Sequence, residues 1–108
     1  MKLRPFDASA DSNTTMYSPH SPERIFENLL ENFEIENKES IKISKTYWKL
    51  SYTVQKKYES IASTEEVAMS IEIQDTGKDL NAIVLKRKSG SASLFYQELI
   101  KLKAEKWV

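Results

Sequence analysis

The residues best suited to bind a ligand are basic and lie near the end of the chain. Ammonium and guanidinium groups that converge at one edge of a fold can hold phosphate or carboxylate groups. They therefore predict a site for phosphoinositide headgroups, other anionic lipid or an acidic protein surface. The competing interpretation is a set of solvated surface charges, because three basic residues at a strand end are common. The residues of the predicted site are Lys86, Arg87, Lys88, Lys101 and Lys103, with Lys106 beside them.

Residues for catalysis or metal binding are sparse. His20 is the only histidine and the chain has no cysteine, so a transition-metal site or a His-dependent triad has little support. The carboxylate pairs Glu65/Glu66 and Glu34/Glu36 fall in predicted polar connections, where solvated side chains are more common than acid–base pairs. Two glycines in the whole chain are too few for a phosphate-cradling loop. We therefore predict a protein that is not an enzyme and needs no cofactor.

Other basic residues interleave with aromatic ones. Lys42, Lys45 and Lys49 form a second cluster, and Lys56–Lys57 a third. This mixture makes a small nucleic-acid-binding domain the alternative function, although no nucleic-acid motif accompanies it. For Trp48 we predict core packing instead.

Length and composition bound the remaining classes. The 108 residues suffice for one domain, and 16 basic residues balance 16 acidic ones, so an anion site must be a local patch. No apolar run approaches the roughly 20 residues of a membrane span, and the start lacks a signal-peptide core. The absence of cysteine suits a cytoplasmic protein, and a nuclear or peripheral membrane location is compatible with it.

Residues 1–20 differ in composition from the rest, because small polar residues dominate them. We predict a flexible lead-in before a domain spanning 21–108. The alternative is that apolar side chains anchor parts of this segment against the domain. The candidates are Leu3, Phe6, Met16 and Tyr17.

The elements that must position the basic residues follow from periodicity. Ser21 can cap a helix over residues 22–32, whose apolar stripe includes Ile25 and Leu29. Alternation predicts strands near 41–43, 48–54 and 67–74, followed by a tight turn at Gly77. The continuous apolar run 82–85 predicts a fourth, more fully covered strand over 80–88. Helical spacing predicts a closing helix over 91–107, capped by Ser91 or Ser93. We therefore expect an α+β fold with a four-stranded antiparallel sheet and both helices packed on one face.

Four segments carry a family resemblance: 21–30, 67–73, 83–90 and 95–100. They resemble the kinase-associated domain 1 family, found at the C-terminal end of checkpoint, microtubule-affinity-regulating and calcineurin-B-like-interacting kinases. That family has an opening helix, a curved antiparallel sheet, a basic or polar strand end, a glycine and a closing helix with an aromatic residue. Gly90 and Phe95 fit the family's five-residue spacing, whereas Ser91 stands where many members carry an acidic residue.

The resemblance implies a non-catalytic regulatory domain of a Ser/Thr protein kinase. Such domains restrain their own catalytic domain, dock partner proteins or recruit the kinase to anionic phospholipid. The kinase catalytic domain, a regulatory protein and an anionic membrane surface are therefore the expected partners.

Overall fold

Two helices and a six-stranded sheet form the part of the chain that the structure describes. The structure is a computed structural model, and it describes residues 2–6, 14–35, 41–58 and 63–104. The predicted α+β class is confirmed. The elements in chain order are β1 (Arg4–Pro5), β2 (Thr15–Ser18), α1 (Pro22–Ile35), β3 (Lys42–Ile43), β4 (Lys49–Tyr58), β5 (Ser63–Asp75), β6 (Asn81–Gly90) and α2 (Ala92–Ala104).

The sheet has the order β2-β6-β5-β4-β3, and all of these neighbours pair antiparallel. β1 runs parallel to β5 and pairs at Gln74 and Asp75, beyond the point where β4 leaves β5. The prediction of four strands was therefore wrong. The two additional strands, β1 and β2, are short and have little apolar alternation, so their sequence does not predict a strand. They are formed by pairing with the long strands β5 and β6.

The first twenty residues thus contribute two strands to the sheet. Met16 of β2 pairs with Ile83 and is buried, and Leu3 packs partly against the core. The Phe6 and Tyr17 rings meet edge to face, with centroids 5.9 Å apart. Anchoring by these apolar side chains is therefore what the structure shows for the described parts of this segment, while residues 7–13 lie outside the described residues.

The two faces of the sheet differ in chemistry. Alternate residues of β5 are apolar and fully buried, and Leu50 of β4 and Leu85 of β6 pair on either side of Ile71. We call this side the core face and the opposite side the polar face. Residues of both helices join the core-face residues in one hydrophobic cluster. From the helices the cluster takes Ile25, Phe26, Leu29, Leu94, Phe95, Leu99 and Leu102.

The predicted helix caps are confirmed. Ser21 Oγ accepts a hydrogen bond from Arg24 N at 3.3 Å, and Ser91 Oγ accepts one from Leu94 N at 3.2 Å. These bonds satisfy amide groups that the first turn of a helix leaves without partners. α1 ends at Ile35 and is therefore longer than predicted. The described part of α2 ends at Ala104, and the remaining residues predicted for that helix, 105–107, lie outside the described residues.

Both glycines have a positive φ, a backbone conformation that residues with a side chain rarely adopt. Gly77 has φ 76° in the loop between β5 and β6, where its amide donates to Asp75 Oδ1 at 2.9 Å. Gly90 has φ 91° at the junction of β6 with α2, and a Cβ there would overlap the carbonyl oxygen of Glu66. A side chain at Gly90 would therefore separate β6 from β5 where the closing helix begins.

Candidate anion-binding site

The three consecutive basic residues of the predicted site lie at the exposed end of β6. Lys86 pairs with Ser70, which places it on the polar face. Lys88 is the extra residue of a β-bulge, and its Nζ donates to Ser51 Oγ at 3.1 Å, also on the polar face. Arg87 pairs with Met69 and therefore has the opposite orientation, and its Nη1 donates to the Gly90 carbonyl at 2.7 Å. Arg87 thus stabilises the end of the strand.

The predicted lysines of α2 occupy a different surface. Lys101 lines a groove between α2 and β4, together with Lys56. Lys103 is exposed in the last turn of the helix, and Lys106 lies outside the described residues. The predicted cations are therefore distributed over two surfaces, and the polar face holds the denser group.

Strand register brings a second predicted cluster to the polar face. Lys42 of β3 pairs with Ser51, Ser51 pairs with Ser70, and Ser70 pairs with Lys86. Because directly paired residues share a face, these four side chains form one row across the sheet. Strand spacing puts the Cα atoms of Lys42 and Lys86 about 14 Å apart, within reach of two extended lysine side chains.

Lys49 adds a fourth ammonium group on the same face. It lies two positions before Ser51 on β4 and pairs with Glu72 of β5. Within the described residues, no hydrogen bond or ion pair engages the ammonium groups of Lys42, Lys49 and Lys86. Their positive charge is therefore available to a ligand. We call Lys42, Lys49, Lys86 and Lys88 the basic cluster.

One buried carboxylate, that of Glu72, lies beside the basic cluster on the polar face. Glu72 is 8% exposed, and Arg4 Nε of the N-terminal strand approaches its Oε2 to 3.3 Å. Arg4 Cζ also lies 3.9 Å from the centre of the Tyr47 ring, a cation–π contact. Arg4 therefore offsets part of the negative charge of Glu72, which among the described residues forms no ion pair with the lysines of the basic cluster.

The side chains of this face can bind an anion. Ammonium groups donate hydrogen bonds to phosphate or carboxylate oxygens, and Ser51 supplies a hydroxyl among them. Within the described ranges, no group of three or more His, Cys, Asp or Glu side chains is placed to hold a metal ion. The arrangement can therefore recognise an anion by charge and hydrogen bonding.

Two of the four carboxylates in the predicted pairs, Glu65 and Glu66, accept hydrogen bonds from other side chains. Glu65 and Glu66 lie in β5 and not in a polar connection. Glu65 Oε2 accepts from Ser91 Oγ at 3.3 Å, and Glu66 Oε2 accepts from Gln55 Nε2 at 2.8 Å. Glu34 lies in α1, and Glu36 lies outside the described residues.

The aromatic residues near the lysines face other neighbours. Trp48 packs against the core, with its ring centroid 5.2 Å from that of Phe26, so the predicted core role is confirmed. Tyr47 lies beneath Arg4, and Tyr96 is exposed on α2. A base-stacking platform would therefore have to be built from aromatics that already have partners or lie on the helix.

Sequence reasoning found the members of the basic cluster but not their grouping. Lys42 and Lys49 were predicted as one cluster and Lys86 and Lys88 as part of another, and Ser51 was not singled out. The sequence feature that could have indicated this grouping is that these lysines and Ser51 occupy polar positions in strands of alternating polarity. To predict that these residues lie side by side, the pairing register of β3, β4, β5 and β6 must be known, and no local sequence pattern contains that register.

No family model matches this chain, and no curated protein matches it. No helix in the described ranges is both long and apolar enough to cross a membrane.

Proposed function

We propose that this chain is a non-catalytic regulatory domain of a Ser/Thr protein kinase, and that its basic cluster binds anionic phospholipid. The kinase assignment rests on the resemblance to kinase-associated domain 1 carried by residues such as Gly90 and Phe95. Autoinhibitory or partner-protein docking is the wider role that this family implies. A cytoplasmic location with reversible attachment to a membrane surface would suit such a domain.

The observation that carries the lipid proposal is the convergence of lysines from three strands on one face. Lys42, Lys49 and Lys86 come from β3, β4 and β6, and the Lys88 ammonium is held at Ser51 between them. A membrane presents many phosphates in a plane, and a sheet presents its lysines in a plane. Each lysine near an anionic bilayer contributes about 1 kcal/mol of attraction.

We also infer that both helices pack on the core face. Ile25 of α1 and Leu99 of α2 belong to the same hydrophobic cluster as Ile71 of β5, and Ile71 alternates with the residues of the polar face. Helices on the core face would leave the polar face open to a flat partner. That asymmetry favours membrane binding through the sheet.

The test is co-sedimentation with vesicles of phosphatidylcholine alone or with added phosphatidylserine, across a salt series. The variant Lys42→Gln/Lys49→Gln/Lys86→Gln should lose roughly 100-fold in affinity for the anionic vesicles at low salt. The control Lys56→Gln/Lys101→Gln/Lys103→Gln makes the same change in net charge on the other surface, and it should retain most of the binding.

Three results would contradict lipid binding by the basic cluster. Equal loss in both triple variants would mean that net charge, and not the basic cluster, drives binding. Absence of selectivity for anionic vesicles would leave docking to a kinase catalytic domain as the function. Salt-dependent binding to an oligonucleotide in preference to vesicles would support the alternative of a nucleic-acid-binding domain.

A further inference from the structure

The polar face carries two aromatic rings at the end of the sheet where β1 and β2 join the central strands. Tyr17 of β2 pairs with Ala82 of β6, and Ala82 pairs with Gln74 of β5. Gln74 lies two residues after Glu72 on the same strand, so this row belongs to the polar face. The Phe6 ring meets the Tyr17 ring edge to face and therefore lies on the same side of the sheet. We call Phe6 and Tyr17 the aromatic pair.

Backbone pairing positions both rings, yet apolar surface reaches solvent around them. Phe6 follows β1 directly and its N donates to the Asp75 carbonyl at 2.7 Å, and Tyr17 lies within the four residues of β2 that pair with β6. Tyr17 is nevertheless 38% exposed, and Leu80, directly before β6, is 42% exposed. Exposed apolar side chains that are grouped mark contact sites more often than single ones do.

The basic cluster lies on the same face, close to the aromatic pair. Lys86 lies four residues after Ala82 on β6, which corresponds to about 13 Å along the strand. The row that contains Lys49 lies between them, because Lys49 pairs with Glu72 and Glu72 precedes Gln74 by two residues. One flat surface can therefore contact the lysines and the rings at the same time.

The carboxylates near the aromatic pair are offset by cations or face away from it. Glu72 has Arg4 beside it, with Arg4 Nε 3.3 Å from Glu72 Oε2. Asp75 is the last residue of β5 and, by strand alternation, belongs to the opposite face. Asp79 lies in the loop before β6, next to Lys78 in sequence. Repulsion of an anionic surface at this end of the sheet is therefore limited.

We infer that the aromatic pair enters the headgroup region of the bilayer when the basic cluster binds anionic lipid. The inference rests on the proposed function and adds an orientation to it, in which the end of the sheet formed by β1 and β2 lies deepest. Tyr17 suits this position because its ring is apolar and its hydroxyl can stay among the headgroups. Phe6 adds apolar area beside it. Lysines and aromatic rings on one surface bind an interface by electrostatic attraction and by burial of apolar area together.

The combination of lysines and rings selects a bilayer over other occupants. A free phosphate or a soluble headgroup would engage the lysines and leave the rings in water. An apolar protein surface would cover the rings and remove water from the ammonium groups at a cost. A bilayer satisfies both requirements, since the polar headgroup layer above its acyl chains is only roughly 5–8 Å thick.

The experiment measures affinity for phosphatidylserine-containing vesicles at low and high salt in Tyr17→Ser and Tyr17→Phe. Tyr96→Ser is the matched control, because Tyr96 is 55% exposed on α2 and belongs to neither the aromatic pair nor the basic cluster. A second measurement uses the absence of cysteine from the chain. Leu80→Cys and, as its control, Ile100→Cys are each labelled with a nitrobenzoxadiazole fluorophore, and a water-soluble quencher reports whether the label leaves water.

Tyr17→Ser should lose roughly 5- to 10-fold in affinity at every salt concentration, because burial of apolar area is not screened by salt. Tyr17→Phe and Tyr96→Ser should bind as the parent does. On addition of vesicles the label at position 80 should shift its emission to the blue and become protected from the quencher, while the label at position 100 stays accessible. Thermal unfolding checks the fold of each variant, and the Leu80→Cys label decides the question if Tyr17→Ser does not fold.

Several results would overturn the inference. If Tyr17→Ser binds as the parent does while the variant Lys42→Gln/Lys49→Gln/Lys86→Gln loses binding, the aromatic pair only anchors the N-terminal segment, and the proposed function stands without the inference. Equal losses in Tyr17→Ser and Tyr96→Ser would contradict a local contact, as would a label at position 80 that stays accessible on vesicles. A parent chain that does not select anionic vesicles would overturn the proposed function and the inference together.

Discussion

The two faces of β5 are both buried at the middle of the strand, yet they are buried by different means. On the core face, Met69 and Ile71 are fully enclosed and belong to the hydrophobic cluster. On the polar face, Ser70 and Glu72 are 3% and 8% exposed, and their neighbours across the strands are Lys49, Ser51, Lys86 and Val84. Burial by apolar groups stabilises the fold, whereas burial beneath long lysine side chains keeps their ammonium groups at the surface.

On the proposed function, adjacent residues of β5 would therefore have different roles. A substitution on the core face should change the free energy of unfolding, and one on the polar face should change affinity for anions. Substitutions at Ile71, Gly90 and Arg4 test this separation, and their expected effects on stability decrease in that order.

Ile71→Ala should lower the free energy of unfolding by about 2–5 kcal/mol, because it leaves a cavity between Leu50 and Leu85 at the centre of the sheet. The matched control is Ser70→Ala on the polar face, with an expected loss of about 1 kcal/mol or less. Urea unfolding followed by circular dichroism gives both values. Equal losses in the two variants would remove the distinction between the faces.

Gly90→Ala should destabilise by about 2 kcal/mol or more, because it combines a left-handed backbone with an overlap against Glu66. Gly77→Ala has a similar φ of 76° but open space around the new methyl, so about 1 kcal/mol is expected there. Thermal unfolding of the two variants separates backbone strain from steric overlap. If Gly77→Ala is the more harmful, the close approach of β6 and β5 at Gly90 does not govern this junction.

Arg4→Gln should have the smallest effect, a loss of about 1 kcal/mol or less, because the Arg4 side chain is 48% exposed and its pairing with Glu72 is screened by water. The loss should shrink as salt is added. Arg24→Gln, an exposed arginine on α1, is the control and should leave unfolding unchanged. A loss at Arg4 that does not depend on salt would mean that packing on Tyr47, and not the ion pair, holds the N-terminal strand.

The helices and central strands were predictable because their signals are local. Ser21 and Ser91 lie three residues before the amides they cap, and the alternation of β5 needs only its own residues. The N-terminal strands were not predictable in the same way. β2 has a single buried apolar residue, Met16, and its pairing with Ile83 depends on a strand from the far end of the chain.

The sequence by itself determined the α+β class, the order of its main elements, the capping serines and the supply of lysines. Each of these depends on interactions within a few residues, which a sequence pattern records directly. Only the tertiary structure decided that Lys42 and Lys86 share a row, that Lys101 faces a separate groove, and that Phe6 meets Tyr17. Those facts depend on strand register and helix placement, where a shift of one residue would turn every side chain to the other face.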